Sequence, residues 1–239
     1  TVTLNAASTV DYNAAGGTNQ TIFGTPTYGF LKLTNGSGSG STTKTAEAAL
    51  TVTNDITIGS NATFAGGTSL THNVGGNWVN NGTFSFTTAS TINFNTPGSK
   101  TISGSSTTAF NSITVNKGTD TTNVLEATGP MSMSGNLTLT NGMFKITHAS
   151  ATAQFNAAPT IPSTAGLWVN GGTLNGGDFS YTNNGLVRVS SGTANFGTAS
   201  GNELSNGSTG TVDIQGGTAN FSGRLNNGSG GTVIISGGT

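Results

Sequence analysis

Val169-Asn-Gly-Gly-Thr173, Val189-Ser-Ser-Gly-Thr193, Ile214-Gln-Gly-Gly-Thr218 and Ile235-Ser-Gly-Gly-Thr239 are four copies of one short motif. Two copies run on as Thr-Ala-Asn-Phe, to Phe196 and Phe221, and the first as Thr173-Leu174-Asn175. Each unit reads as a strand, a Gly-rich turn and a second strand. A repeat of this length made only of strands and turns is one coil of a solenoid. No window sets apolar residues at helical spacing among good helix formers. The expected fold is all-β, a parallel β-helix (β-solenoid) of about 11 coils of roughly 20–25 residues.

Outward from that motif, strands alternate apolar and polar residues, as in Ile56-Thr57-Ile58, Phe84-Ser85-Phe86 and Leu137-Thr138-Leu139. Gly pairs at 16/17, 66/67, 75/76, 171/172, 216/217 and 237/238 suit corners that need positive φ. A longer echo links Val10-Asp11-Tyr12-Asn13 to Ile92-Asn93-Phe94-Asn95, and Ile56-Thr57-Ile58 to Leu137-Thr138-Leu139. Residues 1–239 are expected to form a single continuous solenoid. Within it, 1–160 form approximately two copies of a roughly 80-residue, four-coil block, and 161–239 form simpler coils.

Only 6% of the chain is charged, where a usual domain carries about 25%. Gly alone supplies 38 residues, and the formal net charge is −1. Disorder is not expected, because it goes with high net charge and few β-branched residues, whereas Val, Ile, Thr and Phe recur regularly here. The seven basic residues stand singly, so no patch exists for nucleic acid. No apolar run nears the roughly 20 residues of a membrane-spanning helix, so no membrane insertion is expected. Cysteine is absent, which removes disulfides and thiolate metal sites.

Chemistry is sparse. Polysaccharide-cleaving enzymes on β-helices need clustered carboxylates or a basic residue beside a metal. Here no two of Asp11, Glu47, Asp55, Asp120, Glu126, Asp178, Glu203 and Asp213 fall within three residues. His72 and His148 stand alone and read as surface residues, and Gly176-Gly177-Asp178 lacks the successor that a calcium repeat needs. Gly36-Ser37-Gly38-Ser39-Gly40 lacks the Lys and helix of a phosphate loop. Trp78, Trp168, Tyr12, Tyr28 and Tyr181 are placed in core or corner packing ahead of sugar stacking. Thr51-Val52-Thr53 and Thr138-Leu139-Thr140 suit an ice-binding array locally, but the pattern is not kept in consecutive coils. No catalytic, cofactor-binding or metal-binding residue is assigned, and no cofactor is expected.

The opening Thr1-Val2-Thr3-Leu4 and the closing Val233-Ile234-Ile235 carry no charged or helical cap. An open strand edge is a template for another strand. These residues are therefore the expected axial stacking ends, joined either to another copy head to tail or to more coils of a longer chain.

Val74-Gly75-Gly76-Asn77-Trp78-Val79-Asn80-Asn81-Gly82-Thr83-Phe84, Lys100-Thr101-Ile102-Ser103-Gly104 and Phe110-Asn111-Ser112-Ile113-Thr114-Val115 resemble repeats of adhesin-like proteins secreted by Bacteroidetes. The Gly-Gly-Thr coils are similar to passenger repeats of autotransporter adhesins. The resemblance implies an extracellular or bacterial cell-surface location, a β-helical fold and a non-enzymatic structural or adhesive role. The alternative is a carbohydrate-binding surface module that recognises surface glycans. An ice-binding protein or a polysaccharide-degrading enzyme ranks below both.

Overall fold

The computed structural model describes residues 3–36, 39–86 and 89–239. Among them are 27 strands and no helix, and the strand pairings are parallel. The chain is a β-solenoid of about 11 turns, as the repeats predict.

One column defines the winding. Val10 pairs with Leu31, and the register continues through Ile56, Trp78, Ile102, Ala127, Ile146, Val169, Val189 and Ile214 to Ile235. Each step of the column consumes one coil of chain. In space each rung is one strand spacing, about 4.8 Å, from the next. The column residues from Leu31 to Ile214 are buried. Each large apolar side chain so covered contributes about 1.5–3 kcal/mol. The four motif copies stack in register: Thr173 pairs with Thr193 and Thr193 with Thr218, while Ala219 N–H reaches Thr239 O.

Each coil visits three faces in chain order. The first carries the column just described. The second begins with Gln20–Ile22, Thr42–Ala46, Ala62–Ala65 and Thr83–Ser85. The third holds Thr71–Val74, Thr91–Phe94 and Ser112–Asn116, and later Tyr181–Asn183, Glu203–Asn206 and Arg224–Asn227. Two 11-residue strands, Ala165–Asn175 and Leu186–Phe196, bend across a corner and serve the first and second faces together. Gly192 sits at that corner with φ +77°, and a Cβ there would strike the Gly171 carbonyl. In five of the six Gly pairs the second member has positive φ, at Gly17, Gly67, Gly172, Gly217 and Gly238.

Four coils from Val10 reach Ile102, ten residues past the echo of Val10 at Ile92. The longer sequence echo therefore relates strands on different faces. Val10 and Ile56 are on the first face, but their echoes Ile92 and Leu137 are on the third. Four coils outrun the echo because each takes more than 20 residues, 21 from Val10 to Leu31 and 25 from Leu31 to Ile56.

Aromatic rings fill the interior of the early coils. Trp78 lies 4.8 Å from Phe84 and 5.3 Å from Phe110, centroid to centroid, with Phe64 5.3 Å from Phe84. In the late coils an inward column of Asn183, Asn206 and Asn227 replaces apolar residues on the third face.

Candidate functional site: ladders on the outer faces

The outward neighbours of the first-face column carry much of the chain's charge. Glu126, Lys145, Trp168, Arg188 and Asp213 immediately precede five column residues and stack on five consecutive rungs. Lys145 Nζ is 3.0 Å from Glu126 Oε1 and 4.3 Å from the centroid of the Trp168 ring. From the other side, the Arg188 guanidinium stands 5.2 Å from that ring and donates from Nε to Asp213 Oδ2 at 2.9 Å. Trp168 is thus held between two cations, each tied to a carboxylate on its far side.

A second row of bonds braces this ladder. Thr147 Oγ1 donates to Glu126 Oε1 (2.6 Å), Trp168 Nε1 to Ser190 Oγ (2.9 Å), and Ser190 Oγ to Gln215 Oε1 (3.0 Å). Gln215 Nε2 returns to Asp213 Oδ2 at 2.9 Å. Earlier rungs continue the theme, with Asn77 bonded to Asp55 and Thr101 to Asn77. Burial pushes the Glu126 carboxyl up, but Thr147 and Lys145 outweigh it and hold it below its usual range. Single half-exposed pairs and cation–π contacts are worth about 0.5–1 kcal/mol each. Here they recur at successive rung interfaces, so the ladder resists separation of coils. It leaves Trp168 no free ring face for stacking.

The second face carries a plainer array. Thr152-Ala153-Gln154, Thr173-Leu174-Asn175, Thr193-Ala194-Asn195 and Thr218-Ala219-Asn220 stack rung on rung, with the middle residue turned inward. Asn195 Nδ2 donates to Asn175 Oδ1 at 3.3 Å, and Asn220 Nδ2 to Asn195 Oδ1 at 2.8 Å. The Thr-x-Asn runs of the repeat motif thus occupy three consecutive coils, with Thr152-Ala153-Gln154 on the rung before them. Beside it an open groove of about 900 Å3 is lined by these three asparagines, Gly177, Thr198 and Phe221.

Carboxylates do not converge. Asp11 accepts from Thr34, Asp120 from Thr122, Asp178 from Asn202 and Glu203 from Arg224. Among the described residues no three of His, Asp and Glu come close enough to hold a metal ion.

Among the described residues three basic side chains lie inside. His72, expected at the surface, is buried. Its Nδ1 accepts Leu50 N–H at 3.1 Å and Nε2 faces Gly66 O at 2.7 Å, which selects the neutral ring with its proton on Nε2. Burial lowers its pKa, against the Gly66 bond. Lys44 Nζ donates to Gln20 Oε1 (2.7 Å), Thr42 Oγ1 (2.9 Å) and Ala14 O (3.3 Å). Lys117 Nζ has Thr96 O at 2.6 Å, and burial, aided by Lys100, brings its pKa down to about 8. Backbone and side-chain groups supply the partners of all three.

The aromatic residues divide. Trp78, Tyr28 and Tyr181 are buried, whereas Trp168 belongs to the outer ladder. Sequence reasoning missed that ladder, although its signal is simple: one charged or aromatic residue directly before each aligned apolar residue.

Of the expected stacking ends, Thr1 and Val2 lie outside the described residues. Thr3 and Leu4 precede the first strand, because Asn5 folds the chain into a turn by accepting Ala7 N–H at 2.8 Å. The open edge on that side is Thr9–Tyr12. Leu4 instead joins Val10, Tyr12, Phe23, Pro26 and Tyr28 around an apolar hollow. On the other side Val233, Ile234 and Ile235 do form an edge strand, Thr232–Ile235. The exposed large apolar residues among those described are Phe23, Ile234 and Ile235, at the two ends of the rod. Comparisons with protein-family models, curated proteins and solved structures found no match to this chain.

Proposed function

We propose that the protein is a non-enzymatic, extracellular structural or adhesive element of a bacterial surface. It acts as a stiff segment of a giant adhesin or as a subunit of an end-to-end stacked fibre. The observation that carries this reading is the unbroken column from Val10 to Ile235, braced outside by the Glu126–Asp213 ladder. Cohesion in such a molecule is axial, so load along the rod is shared by every rung. The edges at Thr9–Tyr12 and Thr232–Ile235 accept another strand, from further coils or from a second copy. The repeats that resemble secreted Bacteroidetes proteins support the surface location.

Electron microscopy of the native material tests the reading. Rods or filaments longer than about 50 Å, with an axial spacing near 4.8 Å, are expected. Discrete particles of one coil stack at every concentration would overturn the fibre form, and absence of the axial spacing would overturn the rod itself. The carbohydrate-binding alternative draws its support from the groove on the second face.

A further inference from the structure

We propose that the groove beside Asn175, Asn195 and Asn220 binds an extended glycan lying along the rod axis. The inference rests on the surface-module reading, and it gives that reading a site and a ligand class.

The three amides point outward from consecutive rungs, about 4.8 Å apart. Their mutual bonds use one N–H of Asn195 and of Asn220, and one lone pair of Asn175 and of Asn195. An amide has two donor hydrogens and two acceptor lone pairs. Each asparagine therefore keeps at least one donor and one acceptor for a ligand, and the ladder fixes their orientation in advance. Paired donors and acceptors at this spacing suit vicinal hydroxyls, and the step between rungs is close to the advance of one pyranose residue in an extended chain.

Phe221 also lines the groove, but its ring lies on the inward side of the strand, stacked on Phe196 with centroids 5.0 Å apart and planes 14° apart, so recognition falls to the outward amides. Among the described residues no charged side chain lines the groove, which favours a neutral glycan over a phosphate or an acidic polymer. Trp168 offers no such site, because cations cover both faces of its ring.

The test is a titration of the 15N-labelled full chain with cellohexaose, chitohexaose, laminarihexaose and xylohexaose. Side-chain amide signals of Asn175, Asn195 and Asn220 are followed by NMR. At least one hexasaccharide is expected to shift these signals together. Asn220→Ala and Asn195→Ala should each weaken that binding about tenfold or more, while Asn93→Ala on the third face leaves it unchanged. Melting temperatures of the variants, measured alongside, separate lost binding from lost fold. If Asn195→Ala melts early, Asn220→Ala decides. Silence of the amide signals with all four sugars, or binding that survives Asn220→Ala, overturns the proposal. Neither result bears on filament length, so the rod reading stands or falls separately.

Discussion

Asn183 donates its side-chain amide to Asn206 Oδ1 across 2.8 Å, with both residues inside the coil. Asn206 in turn donates to Asn227 Oδ1 at 2.7 Å and to the Gly210 and Thr232 carbonyls at 3.1 and 3.0 Å. Polar side chains in a core cost stability unless every group is paired. Here pairing is passed from rung to rung.

Asn206→Ala is therefore expected to cost about 3 kcal/mol, because it strands buried groups on Asn183 and Gly210. Urea unfolding of the variant against the parent measures this. No measurable loss would mean that water replaces the amide.

Trp168→Ala removes the ring between Lys145 and Arg188 and leaves two cations unshielded. A loss of about 1–2 kcal/mol is expected. Since the ion pairs are only half-buried, part of it should fade in 1 M salt. An unchanged melting temperature at low salt would show that the ladder is decoration.

His72 gives a pH dependence with a definite sign. Its folded pKa is lowered, so the unfolded chain binds the proton first as pH falls. Stability is complete above about pH 6.5 and declines below it. His72→Gln should flatten that decline when melting is compared at pH 7.5 and 5.0. An equal decline in both proteins would assign it elsewhere.

Legibility in the sequence followed the physics of alternation. Val169, Val189, Ile214 and Ile235 were readable as a column, because inward apolar positions recur one coil apart. The face of a strand was not readable, since all three faces share the same two-residue period. That is why the Val10–Ile92 echo joined strands of different faces. Polar letters also hide direction. Asn206 points inward and Asn195 outward, and only pairing separates them. Buried Lys44 and Lys117 contradict hydropathy outright, because what admits them is local backbone carbonyls and side-chain oxygens.

Lys117 yields the opposite window. With its pKa brought down to about 8, the folded protein releases a proton before the unfolded chain does. Stability should thus rise between about pH 8 and pH 10.4. Lys117→Met should be more stable than the parent at pH 7 by about 1–2 kcal/mol, after the lost bond to Thr96 O is discounted. The gain should shrink as pH approaches 10. A destabilised variant at pH 7 would indicate that the ammonium is better solvated inside than its surroundings suggest.

The coil from Ile102 to Ala127 is visibly longer than the next one, from Ala127 to Ile146, yet all three residues stand in one column. The surplus goes to the rim, where Asp120 ties Thr122 and Asn123 into a closed turn. Length changes at such a rim do not reach the axis. A lineage built on this plan can gain and lose corner residues by drift and keep its interior intact. Novelty accumulates at the edges of the coil, while heritable constraint falls on a few positions per turn.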